Sequence, residues 1–193
     1  MTFVLIAFAL VVSATFGLKV LNLRHLRAHG NRVPPELEGS IDADLLRRIS
    51  AYTIATSRLG TVQSLVHSIL VVAFLFGGVL GWYDGWIAAR ASSLVWSGLL
   101  FFVLLLVAES VLGIPFSLAR NFGIENRYGF NTMGVRLWLT DLLKTLVLST
   151  VFLAILVAGA LLLVSWSPRW WWLWVWGFFL VFNFAVGNFF RGI

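Results

Sequence analysis

Long apolar runs dominate the chain, separated by short polar stretches. Residues 2–18 carry no charge and end at Lys19, which is placed to snorkel. Further runs cover residues 61–83, 91–114, 146–166 and 170–190. A membrane helix needs about 20 mostly apolar residues, each rising about 1.5 Å. None of the runs alternates polar with apolar positions, as a spanning strand would. The pattern predicts an all-α integral membrane protein with about five transmembrane helices. The first run lacks the basic start and the A-x-A site of a cleaved signal peptide, so a signal-anchor-like first helix fits better.

The polar connections carry their own signals. "NRVPPELEGS" reads as an extended linker, because Pro34 and Pro35 oppose a helix. "DADLLRRISAYTIATSRLG" reads as a helix. Asp42 can cap it, and Leu45, Ile49, Tyr52 and Leu59 recur at near-helical spacing. It is expected to run into the second span, holding Arg47 and Arg48 near the headgroups. Gly77 and Gly81 form a GxxxG pair, and Ala154 and Ala158 a small-xxx-small pair, both suited to helix packing within this chain.

Composition sharpens the reading. The chain has 193 residues, 60% hydrophobic and 11% charged. Soluble domains carry about 25% charged residues, so the expected solvent is lipid. Cysteine is absent, which excludes disulfides and thiolate metal sites. The +6 net charge does not point to nucleic acid, because its placement follows the spans. Lys19, Arg24, Arg27, Arg32, Arg47, Arg48 and Arg58 lie at the first-to-second connection. Arg120, Arg127, Arg136 and Lys144 lie at the third-to-fourth. The other two connections hold only Arg90 and Arg169. Lys and Arg favour the cytoplasmic side of short loops. The N-terminus is therefore expected outside and the C-terminus in the cytoplasm. Trp82, Trp86, Trp166, Trp170, Trp171 and Trp172 would gather at the outer interface.

Candidate chemistry is sparse. "HLRAH" spaces His25 and His29 by one helical turn, but Leu26 stands where H-E-x-x-H needs its glutamate. A surrounding basic loop also opposes a cation. His67 suits an interhelical hydrogen bond. Glu109 interrupts the third span. An acidic residue there costs about 2.5 kcal/mol or more on insertion scales, so it calls for a partner or a wet cavity. A single interhelical hydrogen bond and a functional role both satisfy that need.

Beyond Glu109, Pro115 is expected to end or kink the helix. The polar stretch "NFGIENRYGFN" follows. Gly129 suits the left-handed residue that closes a helix, with Phe130 folding back. Asn131 or Thr132 can cap the next helix. Glu125, near a helix C-terminus, opposes the dipole and calls for a cation from another segment. Asp141 and Lys144 make an i, i+3 pair entering the fourth span.

"LGIPFSLARNFGIENRYGFN" followed by "WLTDLLK" resembles the N-terminal membrane domain of type 1 CAAX prenyl proteases. Pro115, Phe122, Ile124, Glu125, Gly129, Phe130, Asn131, Asp141 and Lys144 fall on the family pattern. Ala119 departs from it, where relatives often carry tyrosine. The resemblance implies residues 1–193 as a single membrane domain of a zinc metalloendopeptidase. In that family a later cytoplasmic domain brings H-E-x-x-H and a glutamate ligand, and the helices enclose a chamber around the zinc. The chain carries neither, so no catalytic or metal residue is assigned to it, and zinc is expected only in the missing domain. The implied role is chamber wall and substrate access, with Glu125, Arg127 and Asn131 buttressing the cytoplasmic rim. Partners would be the lipid bilayer and a catalytic metallopeptidase segment or subunit.

Two other readings stand beside it. One is a stand-alone, non-catalytic scaffold or binding protein. The other is a small transporter or channel half, motivated by Glu109 but lacking an inverted repeat. The excess of arginine over lysine points to a bacterial inner membrane.

Overall fold

The computed structural model describes residues 2–30 and 42–191. Seven α-helices and one π-helical segment follow in order: α1 (Thr2–His29), α2 (Ala43–Phe76), α3 (Val79–Ala88), α4 (Leu94–Leu118), the π segment (Ala119–Glu125), α5 (Asn126–Tyr128), α6 (Val135–Trp166) and α7 (Trp171–Arg191). No strand occurs among the described residues. Five helical stretches are long and apolar enough to cross a membrane: Phe3–His29, Asp44–Phe76, Leu94–Tyr128, Val135–Trp166 and Trp171–Asn188. The protein is a multi-pass integral membrane protein.

Several helices outrun their apolar runs. α1 continues to His29, so His25 and His29 are helical rather than in a loop. Their rings stack at 4.5 Å. α6 starts at Val135, well before the apolar run. α2 covers the expected cytoplasmic helix and the second span in one piece of 34 residues. The Asp42 side chain caps it by accepting from the Asp44 N–H. The Pro34–Pro35 linker lies outside the described residues. The second span ends earlier than its apolar run. α2 stops at Gly77, and Gly78 adopts a left-handed φ of 80° before α3 begins. The Gly77/Gly81 pair is split by that break, and a Cβ on Gly81 would meet nothing within 4 Å.

The chain forms two compact units. The first comprises residues 1–77 and 114–133. In it α1 and α2 pack antiparallel, since Lys19 meets Ser64 while Gly30 meets Ser50. Lys19 does not snorkel: its Nζ donates to Ser64 Oγ between the helices. Ser50 is only 5% exposed, and its hydroxyl donates to the carbonyl of Gly30, where α1 ends. A Cβ on Gly30 would fall 2.5 Å from that hydroxyl. Removing the donor leaves the carbonyl unpaired, which costs about 1–3 kcal/mol for a buried group. Ser50→Ala should therefore lower the melting temperature in detergent more than Thr53→Ala. Thr53 is a fair control, because its hydroxyl bonds only to its own helix, at the carbonyl of Ile49.

The second unit comprises residues 78–113 and 134–193. α6 and α7 pack antiparallel, with Phe152 against Phe182 and Trp166 against Trp174. A Cβ on Gly159 would fall 2.4 Å from the ring of Phe178, and one on Gly98 2.2 Å from Leu161 Cδ1. Gly98 and Gly159 thus mark close helix approaches here. The Tyr83 hydroxyl donates to the Phe101 carbonyl at 2.7 Å and ties α3 to α4. The contact of Gly98 with Leu161 sets the start of α4 beside the end of α6. The α3–α4 and α6–α7 connections thus share one end of this unit. Exposed Trp82, Trp166, Trp170, Trp171 and Trp172 crowd around them.

Candidate functional site

The stretch singled out by its polarity lies in the first unit, and its local backbone is unusual. α4 passes through Pro115 without ending. The relief comes one turn later, where Ala119–Glu125 winds as a π-helix. Such turns close i→i+5 hydrogen bonds and are found mostly as short insertions at functional sites. Residues five apart on an α-helix sit about 140° apart around the axis. The wider turn returns them to one side, and Arg120 and Glu125 line the same cavity.

The end of the segment is firmly set. Gly129 has φ 78°, a conformation that disfavours any side chain. Its N–H bonds the Asn126 carbonyl at 3.2 Å, and the Phe130 N–H bonds the Glu125 carbonyl at 2.9 Å. This pair of bonds is the Schellman closure. Asn131 also donates its N–H to the Glu125 carbonyl. Its side chain does not cap α6: Oδ1 accepts from the Met133 N–H at 2.7 Å, and Gly134 precedes α6 without a side-chain cap.

α2 holds this closure from the side. Arg48 Nη2 donates to the Tyr128 carbonyl at 3.1 Å, satisfying a helix-end acceptor. Tyr52 packs edge-on against Tyr128 and Phe130, with ring centroids 5.8 and 4.8 Å away. Further along α2, Tyr52, Thr56 and Ser57 meet Arg120 and Glu125 around an open cavity of about 360 Å³. Thr56 spends its hydroxyl on the Tyr52 and Thr53 carbonyls. Arg120 is exposed and Glu125 half-buried. Neither side chain has an ion pair or hydrogen bond among the described residues. Among the described residues, no cation from another segment pairs with Glu125. The cation that shares its cavity comes from its own helix, and the one from α2, Arg48, serves the backbone instead.

The remaining singled-out residues are dispersed. Pro115, Phe122 and Ile124 shape the helix that carries the cavity, and Arg127 is exposed. Asp141 and Lys144 are exposed on α6 and make no ion pair within 4 Å; the ion pair among the described residues is Arg47–Asp44 at 3.8 Å. Glu109 is exposed on α4, and His67 exposed on α2, each without a hydrogen-bonding partner among the described residues. No three His, Asp or Glu gather as a metal site among the described residues. Among the described residues the His25–His29 pair has no third His, Asp or Glu beside it.

Sequence reasoning missed Ser50, Ser57 and Ser64 on α2. Their seven-residue spacing was the available signal, since it puts three hydroxyls on one stripe of a helix. That stripe meets Gly30, the cavity and Lys19 in turn.

Comparison with known proteins agrees with this architecture. A family described as the CAAX prenyl protease N-terminal domain, with five membrane helices, matches residues 22–190. The chain is similar to CAAX prenyl protease 1 homolog of Arabidopsis thaliana, 25% identical over 174 residues, covering 86% of this chain and 41% of that protein. It is similar also to CAAX prenyl protease 1 of Saccharomyces cerevisiae, 28% identical over 133 residues, covering 61% of this chain and 28% of that one. The crystal structure of S. mikatae Ste24p shares the fold, with a TM-score of 0.80 at 22% identity, over 94% of this chain and 42% of that one. The chain thus spans less than half the length of the relatives it matches. It belongs to the CAAX prenyl protease N-terminal family of five-helix membrane domains.

Proposed function

We propose that this chain is the membrane-embedded part of a CAAX prenyl protease-like zinc metalloendopeptidase, forming chamber wall and substrate access and inactive alone. The observation that carries the reading is the family match over residues 22–190, which takes in the end of the first span, the motif around Glu125 and the other four spans. Residues 1–193 act in it as one membrane domain. The family is a zinc metalloprotease family, and zinc binding and peptide hydrolysis fall to a catalytic segment or subunit carrying H-E-x-x-H. The arginine bias supports a bacterial inner membrane, although the similar plant and yeast proteins are eukaryotic.

The test is complementation. The native gene or its neighbour should encode H-E-x-x-H on a helix, a later glutamate and two more spanning helices. Co-expression of that segment should raise the yield of this chain and give chelator-sensitive cleavage of a prenylated CAAX peptide. The 193-residue chain alone should hold no stoichiometric zinc and cleave nothing. If the neighbouring DNA lacks such a segment and the chain is stable alone, the protease reading fails and a scaffold role replaces it.

Topology is part of the same proposal. The two tryptophan-rich connections, each with a single arginine, should face outside. The absence of native cysteine makes labelling clean. Cysteines placed at Asp84 and Ser167 should react with an impermeant reagent on intact cells, and one at Asn131 should not. Strong labelling at Asn131 would reverse the orientation.

A further inference from the structure

The cavity at the end of the first unit has a chemical pattern that a chamber rim does not require. It presents a guanidinium from Arg120 and a carboxylate from Glu125 on one side of a π turn. The two charges do not pair with each other within 4 Å. The Ser57 hydroxyl, which makes no side-chain hydrogen bond among the described residues, lies on the same wall. The edge-packed Tyr52 ring completes the polar lining. A purely cationic site would omit Glu125, and a cation site would omit Arg120. A ligand that carries both charges, a few bonds apart, matches both at once.

Position narrows the ligand. On α2 the apolar run towards the span begins at residue 61, one turn after Ser57. On α4 the apolar run ends at residue 114, less than two turns before Arg120. The cavity therefore opens where hydrocarbon gives way to headgroups, a layer about 5–8 Å deep on each side. The planar guanidinium matches phosphate oxygens with paired donors. Ser57 can donate one more hydrogen bond. Glu125, as an acceptor, needs N–H donors from the ligand. A primary ammonium supplies three, whereas a trimethylammonium supplies none.

From this geometry we infer that the cavity binds the headgroup of a phosphoethanolamine lipid, with phosphate at Arg120 and Ser57 and ammonium at Glu125. The inference rests on the cavity itself and is independent of the protease reading. The lipid would wedge between α2 and the π segment at the membrane surface, holding together the closure that Arg48 and Tyr52 brace.

The experiment uses the purified 193-residue chain in detergent, titrated with phosphatidylethanolamine, phosphatidylcholine and phosphatidylglycerol of identical acyl chains. Bound lipid is counted by native mass spectrometry. Phosphatidylethanolamine should be retained about three- to tenfold over phosphatidylcholine, the gain of roughly one charge-assisted hydrogen bond at a partly exposed site. Glu125→Gln should bring that ratio close to one. Arg120→Gln should weaken both lipids alike. Ser57→Ala, a substitution that a helix tolerates, should lower phosphatidylethanolamine retention without abolishing it. Unchanged helical circular dichroism and monodisperse elution qualify each variant. Retention of phosphatidylglycerol equal to or above that of phosphatidylethanolamine would overturn the inference, because a generic cationic surface behaves that way. An unchanged ethanolamine-to-choline ratio in Glu125→Gln would overturn it too. Soluble phosphoethanolamine should not displace the lipid; displacement at micromolar concentration would assign the site to the free ester instead.

Discussion

Gly159→Leu is expected to separate α6 from α7. The Cβ alone would fall 2.4, 2.7 and 3.1 Å from three atoms of the Phe178 ring. Real carbon–carbon contacts need about 3.5–4.0 Å, so the ring or the helix must move. The ring has neighbours of its own: Phe182 lies 6.2 Å from it and packs on Phe152 in turn. Overpacking of this kind costs about 1–3 kcal/mol. In lipid, little hydrophobic force draws helices together, and close packing carries most of the association. The melting temperature in detergent should therefore fall sharply. Gly159→Leu combined with Phe178→Ala should recover much of the loss, since the new side chain fills the vacated volume. Gly17→Ala supplies the contrast: nothing lies within 4 Å of its added carbon, and alanine improves helix propensity. Equal loss in the Gly159 single and double variants would refute the contact.

Gly129→Val should be the most damaging change in the polar stretch. Left-handed backbone costs an ordinary L-residue about 1–2 kcal/mol, and a β-branched side chain more. Escape to another φ breaks both closing hydrogen bonds, at Asn126 and Glu125. It also takes the Tyr128 carbonyl away from Arg48 and the Phe130 ring away from Tyr52. Limited proteolysis should then cut within residues 126–134 while the spans stay protected. Gly129→Asn should be mild, because asparagine tolerates this backbone best among the non-glycine residues. If valine and asparagine variants are cut at the same rate, the closure is not what protects this stretch.

The spans were legible because lipid leaves so little choice. An apolar run of about 20 residues has to be helical, so five runs meant five helices. The Asp42 cap and the Gly129 closure were legible for a similar reason: each is a local bargain between backbone and one nearby residue. What escaped was set by tertiary contact. Nothing in "SLARNFGIE" announces a π turn, and Pro115 pointed to an ending that did not occur. The early stop of α2 was hidden because Gly77 and Gly78 sit inside an apolar run that continues to Tyr83. Glu125 was noticed for its charge, but its cavity partners on α2 lie 68 to 73 residues away, from Ser57 back to Tyr52. A hydroxyl stripe on α2 was visible, yet only the fold says which neighbour each hydroxyl meets.

The π turn also makes this part of the chain tolerant of a change in its own length. Deletion of one residue, such as Gly123, would let residues 119–125 relax into ordinary α-helix, so the helix itself would survive. In ordinary α-helix the same deletion turns everything downstream by about 100° and draws it in by about 1.5 Å. At the π turn the lost residue comes out of the wider winding, so the helix beyond it keeps nearly its phase. Arg120 and Glu125 would become neighbours four apart on an α-helix and still face one wall. Among related chains, single-residue gaps are therefore expected here before anywhere else in the spans.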